Sequence, residues 1–135
     1  MKPLRIDHIG IAVNSLEEAG KFYEALGLVS SGVEEVAEQK VRVAFYPCGD
    51  SELELLESTT PDGPIAGFIE KNGGRGGIQH IAIRVPDIAA AIAEMQEKGF
   101  RMIDQAPRYG AGGAKIAFMH PKVSGGVLLE LTERQ

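Results

Sequence analysis

Several features that would indicate a specialised class of protein are missing from this sequence. It has no tryptophan, only 6% aromatic residues and a single cysteine, Cys48, which cannot form an intramolecular disulfide. No apolar run approaches the roughly 20 residues that a membrane-spanning helix needs. The first residues also lack the basic and apolar regions of a signal peptide. We therefore expect a protein of the cytoplasm, where thiols stay reduced.

The charge balance excludes a second class of partner. The 14 lysines and arginines are scattered among 19 aspartates and glutamates, which gives a net charge of −5. Nucleic-acid-binding proteins usually present a basic face. We therefore expect no nucleic-acid partner and, from the missing apolar runs, no membrane partner. A small anionic ligand stays open, because it needs only a few local cations.

The sequence does contain an internal repeat. Residues 6–28 align with residues 78–100 at a shift of 72 positions, and seven of the first 22 pairs are identical. His8 and His80 take the same place in the two copies. A repeated unit that carries one histidine in each copy suggests a site built at the junction of two similar halves.

Each copy predicts a strand followed by a helix. Alternating apolar residues at the start of each copy are typical of a strand. Apolar residues then recur at helical spacing, as Leu16, Ala19, Phe22, Tyr23 and Leu26 in the first copy and Ile88, Ala91, Ile92 and Met95 in the second. Ser15 and Glu18 have the spacing of a capping box, and Pro86–Asp87 begins the second helix.

Further strands complete each half. They are predicted at 40–46 and 52–57, then at 114–119 and 127–132, with weaker signals at 29–36 and 101–104. Each half is then a β-α-β-β-β module, and we expect an α+β fold. Residues 1–135 form one domain, with modules at about 4–58 and 77–133 and a linker at about 59–76 that contains a short helix at 65–72.

Alternation along the strands sets the direction of both histidines. Each lies on the face opposite to the isoleucines that pack against the helices. Gly10 and Ala12 share the face of His8, and Ala82 shares the face of His80, which leaves room for a ligand. A single histidine in a sheet is more often hydrogen-bonded than ligand-binding, but its repetition favours a functional pair.

Two glutamates repeat in the same way. Glu54 and Glu130 face away from the leucines on either side of them, and their local sequences align at a shift of 76. Glu54 could also be a solvated charge, whereas Glu130 is flanked by apolar residues. Buried carboxylates are unfavourable without a partner, so a metal or a hydrogen bond is expected.

Two imidazoles and two carboxylates form a mixed nitrogen and oxygen site. Such a site suits a divalent transition ion, and zinc, cobalt, nickel, manganese and iron all fit. His120 is excluded from it, because His120–Pro121 ends a strand and has no counterpart in the first half.

Four stretches of the sequence are similar to a known family. They are DHIGIAV at 7–13, GIQHIAIRV at 77–85, FMHPK at 118–122 and GGVLLELT at 125–132. These resemble the vicinal oxygen chelate superfamily, which includes glyoxalases, bleomycin resistance proteins and dioxygenases, and most closely its methylmalonyl-CoA epimerases. The resemblance covers nearly the whole chain.

The resemblance implies a fold and a metal site. The fold is two β-α-β-β-β modules that form a curled mixed sheet around a metal held by His8, Glu54, His80 and Glu130. Cobalt is favoured, with zinc, nickel or manganese as alternatives, and a homodimer is expected.

It also implies an activity, the interconversion of the R and S epimers of methylmalonyl-CoA, a small-molecule acyl-CoA substrate. The α proton would be removed and returned through an enolate. Glu130 is the first candidate for the catalytic base and Glu54 the second. A glutamate proposed as a base in some members is replaced here by Val43, so the second base stays unassigned.

Two other functions stay open. A glyoxalase I-type lactoylglutathione lyase of the same superfamily uses a closely similar ligand set, and fold alone does not separate the two. A metal-free small-molecule binding protein would share the fold without needing the ligand residues. The segment FIEKNGG at 68–74 favours the epimerase, and the presence of all four ligand residues argues against the binding protein.

Overall fold

The computed structural model describes residues 1–134 and has an α+β architecture, which confirms the predicted class. Its strands are β1 Arg5–Ala12, β2 Gly32–Val36, β3 Val41–Cys48, β4 Ser51–Ser58, β5 Gly77–Arg84, β6 Arg108–Tyr109, β7 Lys115–Phe118 and β8 Leu129–Glu133. The α-helices are α1 Leu16–Ala25, α2 Pro64–Lys71 and α3 Ile88–Glu97, and short 3₁₀ helices lie at Ala37–Gln39, Ala111–Gly113 and Pro121–Ser124. No helix in the described part of the chain is both long and apolar enough to cross a membrane.

The chain divides into two compact units. We call residues 9–79 the central unit, and residues 1–8 together with the chain from His80 onward the split unit. Strand β1 contributes to both, because its first four residues, Arg5 to His8, belong to the split unit. The predicted module and linker boundaries stay a prediction.

The central unit has the strand order β2-β3-β4-β1. Strand β3 is antiparallel to β2 and β4, whereas β1 is parallel to β4. The connection between β1 and β4 therefore passes through α1 and two further strands. This is the predicted β-α-β-β-β order.

Helix α1 begins and packs as its sequence indicates, with one exception. The Ser15 hydroxyl caps it by accepting a hydrogen bond from the Glu18 N–H at 3.2 Å. Leu16, Ala19 and Tyr23 pack against the core of Ala44, Tyr46 and Leu55. The exception is the far side of the predicted stripe, because Phe22 and Leu26 are 61% and 64% exposed. The buried face of α1 is therefore narrower than predicted.

The split unit repeats this topology with the strand order β5-β8-β7-β6. Strand β5 is parallel to β8, and β7 is antiparallel to β8 and β6. The predicted stripe of α3 packs into the core, where Ile88, Ala91 and Ile92 are buried and Met95 lies against them. Asp87 caps this helix by accepting a hydrogen bond from the Ala90 N–H at 3.1 Å.

The weaker strand prediction at 101–104 is wrong. In that segment only Met102 forms a β-bridge, to Met119, and the short strand β6 forms later, at Arg108–Tyr109. The Asp104 side chain accepts a hydrogen bond from the Phe118 N–H at 2.8 Å. That donor is thus satisfied by a side chain, as happens in turns, rather than by a strand ladder.

Candidate metal centre

Three of the four predicted ligand residues lie together in the split unit. One ligand atom from each of His8, His80 and Glu130 lies within 4.8 Å of the other two. The Nε2 atoms of His8 and His80 are 3.0 Å apart. The Glu130 carboxylate spans the pair, with Oε2 3.5 Å from His8 Nε2 and Oε1 3.5 Å from His80 Nε2. All three residues are buried, with at most 5% of their surface exposed.

Strand pairing explains how residues so distant in sequence meet. In the parallel pair of β5 and β8, Ala82 lies directly opposite Glu130, and His80 is two residues before Ala82 on the same face. The residue before β1 is hydrogen-bonded to the end of β5, where the Leu4 N–H donates to the Arg84 carbonyl at 2.9 Å. His8 ends this short segment of the split unit.

The cluster fits a divalent metal by its donor spacing. Zinc–nitrogen bonds are about 2.0–2.1 Å long, so two nitrogens on neighbouring coordination positions lie about 3.0–3.4 Å apart. The separation between the two Nε2 atoms, 3.0 Å, falls in this range. The two rings meet edge to face, with an interplanar angle of 88°. Two imidazoles and a carboxylate are also the donors that first-row divalent ions accept.

Burial and charge set the protonation of the cluster. Burial lowers the pKa of His80 to about 4; the Glu130 carboxylate opposes this effect and His8 adds to it. Burial alone would raise the pKa of Glu130, but the two histidines and the Thr132 hydroxyl lower it overall. The Thr132 hydroxyl donates to Glu130 Oε2 at 2.5 Å. A neutral His80 and an ionised Glu130 are the forms that bind a cation.

Asp7 is a buried residue of the centre that the sequence analysis missed. Its Oδ2 lies 2.7 Å from His8 Nδ1. Burial would raise the pKa of Asp7, but the hydrogen bonds from His8, Arg134 and Arg84 hold it far below its usual value. The only signal in the sequence is that Asp7 directly precedes His8. In a strand, that position predicts the opposite face.

Phe118 forms an aromatic wall beside the histidines. Its ring meets that of His80 edge to face, with centroids 5.6 Å apart. On Phe118 lies the guanidinium of Arg108, 5.6 Å from the ring centroid, a cation–π distance. Arg108 is also paired with Asp104, with Nε 3.1 Å from Oδ1.

Glu54, Val43 and His120 are the other residues that the sequence analysis considered. Glu54 belongs to the central unit, is 3% exposed, and lies opposite Gly10 of β1 and Phe45 of β3. Its roles as ligand and base stay predictions. Val43 is buried in β3. His120 lies outside the cluster, as predicted, where its Nδ1 accepts a hydrogen bond from the Lys122 N–H at 3.1 Å.

Comparison with known proteins agrees with the resemblance in sequence. Residues 7–118 match the model of the glyoxalase/bleomycin resistance protein/dioxygenase superfamily. The uncharacterized protein YqjC of Bacillus subtilis is 45% identical over 96% of this chain and 91% of its own length. The mitochondrial methylmalonyl-CoA epimerase of Homo sapiens is 41% identical over 96% of this chain and 73% of its own length.

A solved structure gives a similar result. A variant of the Streptomyces coelicolor methylmalonyl-CoA epimerase in complex with 2-nitronate-propionyl-CoA superimposes with a TM-score of 0.91. It is 39% identical, and the match covers 98% of this chain and 95% of that one. The chain therefore belongs to the glyoxalase/bleomycin resistance protein/dioxygenase superfamily and, within it, to the family of the methylmalonyl-CoA epimerases.

Proposed function

We propose that this chain is a methylmalonyl-CoA epimerase, an isomerase that acts on an acyl-CoA thioester. Relatives with this name align over 96% of the chain at 38–41% identity. A related epimerase has been solved in complex with methylmalonyl-CoA. The observation that carries the proposal is the buried His8–His80–Glu130 cluster, since an epimerase needs a place where charge on the substrate can be stabilised.

His8, His80 and Glu130 would hold a divalent metal ion in this centre. When bound, such an ion supplies Lewis acidity that stabilises the negative charge developing on the thioester oxygen. The residues themselves supply a dry, closely spaced donor set, since all three are at most 5% exposed. Glu54 is the proposed fourth ligand. Cobalt is the proposed metal, with zinc, nickel and manganese as alternatives.

Proton transfer requires a base next to the α carbon. That carbon lies between a thioester and a carboxylate, so losing its proton gives a delocalised enolate. Glu130 is the first candidate base, because its carboxylate is ionised and buried. Its Oε2 accepts a hydrogen bond from Thr132, which holds the carboxylate in place. Glu54 is the second candidate for this role.

Conversion of one pure epimer of methylmalonyl-CoA into the other tests this proposal. The metal-loaded protein should convert either epimer to the same equilibrium mixture. Chiral chromatography measures the two epimers over time. A parallel reaction with the hemithioacetal of glutathione and methylglyoxal should give no product. Turnover of the hemithioacetal without epimerisation would favour a lactoylglutathione lyase instead, and ligand binding without turnover of either compound would favour a binding protein.

We further propose that the protein is a homodimer in the cytoplasm. Strand β2 lies at one end of the strand order in the central unit, and its Val33 is 59% exposed. An edge strand with exposed apolar residues favours association. Light scattering on the eluate of a size-exclusion column gives the mass, and a monomer at micromolar concentration would contradict the dimer.

A further inference from the structure

The carboxylate of Asp7 is held from three sides within the split unit. Its side chain is fully buried, and Oδ2 lies 2.7 Å from His8 Nδ1. Arg84 Nε donates to Oδ1 at 2.8 Å. Arg134 donates to both oxygens, from Nε to Oδ1 and from Nη2 to Oδ2, each at 2.9 Å. Such a two-point contact fixes the plane of a carboxylate as well as its position.

This arrangement fixes the role of each ring nitrogen of His8. A guanidinium offers only donors, so both oxygens of Asp7 serve as acceptors, and the short contact to Nδ1 requires Nδ1 to donate. In a neutral imidazole the other nitrogen, Nε2, then carries the lone pair. That is the atom 3.0 Å from His80 Nε2 and 3.5 Å from Glu130 Oε2.

None of the three residues of this network is repeated in the other half of the sequence. At the shift of 72, Gln79 takes the place of Asp7 and Ala12 that of Arg84; at the shift of 76, Ser58 takes the place of Arg134. The repeat therefore accounts for the pair of histidines but not for what surrounds His8. A network that is not repeated gives the two imidazoles different surroundings.

We infer that Asp7 is a positioning residue: it keeps His8 in the tautomer that carries its proton on Nδ1 and aims the Nε2 lone pair into the cluster. Arg84 and Arg134 keep the carboxylate in place for this task. Metal-binding histidines in general depend on such a partner for ring orientation and basicity. The inference rests on the proposed metal centre for its purpose, but the tautomer exists with or without metal.

The first test is made on the metal-free protein. Nitrogen-15 NMR of the His8 ring distinguishes a protonated from an unprotonated nitrogen, and the wild type should show the proton on Nδ1. Asp7→Asn keeps the shape but turns one acceptor into a donor that faces Arg84 or Arg134, so the preference for Nδ1 should weaken. An unchanged tautomer in folded Asp7→Asn would overturn the inference.

The second test measures metal affinity by cobalt titration. The absorption spectrum of the bound ion reports how much cobalt is bound. Asp7→Asn should lower the affinity by about 10–100-fold, the effect typical of an outer-shell partner. Met102→Ala is the matched control, since Met102 is buried in the core of the same unit and packs with α3 residues. It should lower stability and leave the affinity unchanged. Equal losses of affinity in both variants would mean that Asp7 is merely structural.

A milder variant keeps the test decisive if Asp7→Asn does not fold. The Arg84 side chain is 28% exposed, and Arg84→Gln removes one of the two guanidiniums while Arg134 still holds Asp7. It should shift both the tautomer and the affinity in the same direction by a smaller amount. No shift in either would overturn the inference. A wild type that binds no cobalt but keeps its proton on Nδ1 would refute the metal centre and leave the positioning role intact.

Discussion

The Nε2 atoms of His8 and His80 lie 3.0 Å apart although the two residues are 72 positions apart in the chain. Two imidazole nitrogens at this distance share either a proton, in an N–H···N hydrogen bond, or a cation that accepts both lone pairs. Burial lowers the pKa of His80 to about 4, so at neutral pH an extra proton is disfavoured there. The pair is therefore held either by one N–H···N hydrogen bond or by a bound cation, and metal titration distinguishes the two.

Metal binding should therefore depend on two histidines and not on the third. His8→Ala and His80→Ala should each weaken cobalt binding strongly, because a direct ligand is lost. The loss should exceed the factor of about 10–100 that is typical of an outer-shell change. His120→Ala is the control, since His120 caps the turn at Lys122. Equilibrium dialysis with elemental analysis measures the metal retained. Equal retention by all three variants would refute the assigned ligands.

Replacing Glu130 by glutamine should affect catalysis beyond metal binding. At saturating cobalt, Glu130→Gln should lower kcat for epimerisation by about 100–10,000-fold, the usual contribution of a general base. Glu54→Gln is the comparison, and it should lower kcat as strongly only if Glu54 rather than Glu130 is the base. A Glu130→Gln protein that keeps metal and full activity would remove Glu130 from the role of base.

The hydroxyl of Thr132 should matter for stability. Thr132 is fully buried and donates to Glu130 Oε2 at 2.5 Å. Thr132→Val keeps the size but leaves a buried carboxylate with one donor fewer, and this should lower the free energy of unfolding by about 1–3 kcal/mol. Urea unfolding measures it. Thr59→Val, at an exposed position, should change stability by less than about 0.5 kcal/mol, and equal effects would contradict the account.

The stability of the metal-free protein should fall as the pH drops below neutrality. The pKa of His80 in the folded protein is about 4, whereas an unfolded histidine titrates near about 6.5. Between these values the unfolded chain takes up a proton that the folded chain does not. The stability contribution is therefore complete above about pH 6.5 and is lost progressively toward pH 4.

Urea unfolding at pH 7 and pH 5 measures this loss. Glu130 and His8 face His80 and are present in both samples, so His80→Gln is compared with the wild type. The variant should lose less stability between the two pH values. An equal loss in the two proteins would show that His80 is not the group responsible.

The sequence was sufficient to predict the ligand cluster because two independent signals coincide there. Period-two alternation sets the face of His8, His80 and Glu130, and the repeat shows that the pattern is not accidental. The partners of Asp7 could not be predicted from the sequence, since Arg84 and Arg134 are 77 and 127 positions away along the chain. Alternation places adjacent residues on opposite faces, so it gave no reason to connect Asp7 with His8.

The outer side of α1 shows a second limit of prediction from the sequence. Apolar spacing predicts that a helix has a buried face but not how wide that face is. Phe22 and Leu26 continue the stripe in sequence yet remain 61% and 64% exposed. The strand prediction at 101–104 failed at the level of hydrogen bonding. The side chain of Asp104 accepts a hydrogen bond from the Phe118 N–H, a donor that a strand partner would otherwise use. Side-chain hydrogen bonds of this kind compete with strand ladders.

Exchange of the α proton of methylmalonyl-CoA in deuterated water measures whether catalysis depends on a metal held by His8 and His80. One preparation is stripped of metal, assayed, reconstituted with one equivalent of cobalt per chain and assayed again. Exchange should be slow in the stripped protein, rapid after reconstitution, and not recovered in a double variant His8→Ala and His80→Ala. Exchange that is equally rapid before and after cobalt, or absent in both, would contradict a metal-dependent epimerase built on this cluster.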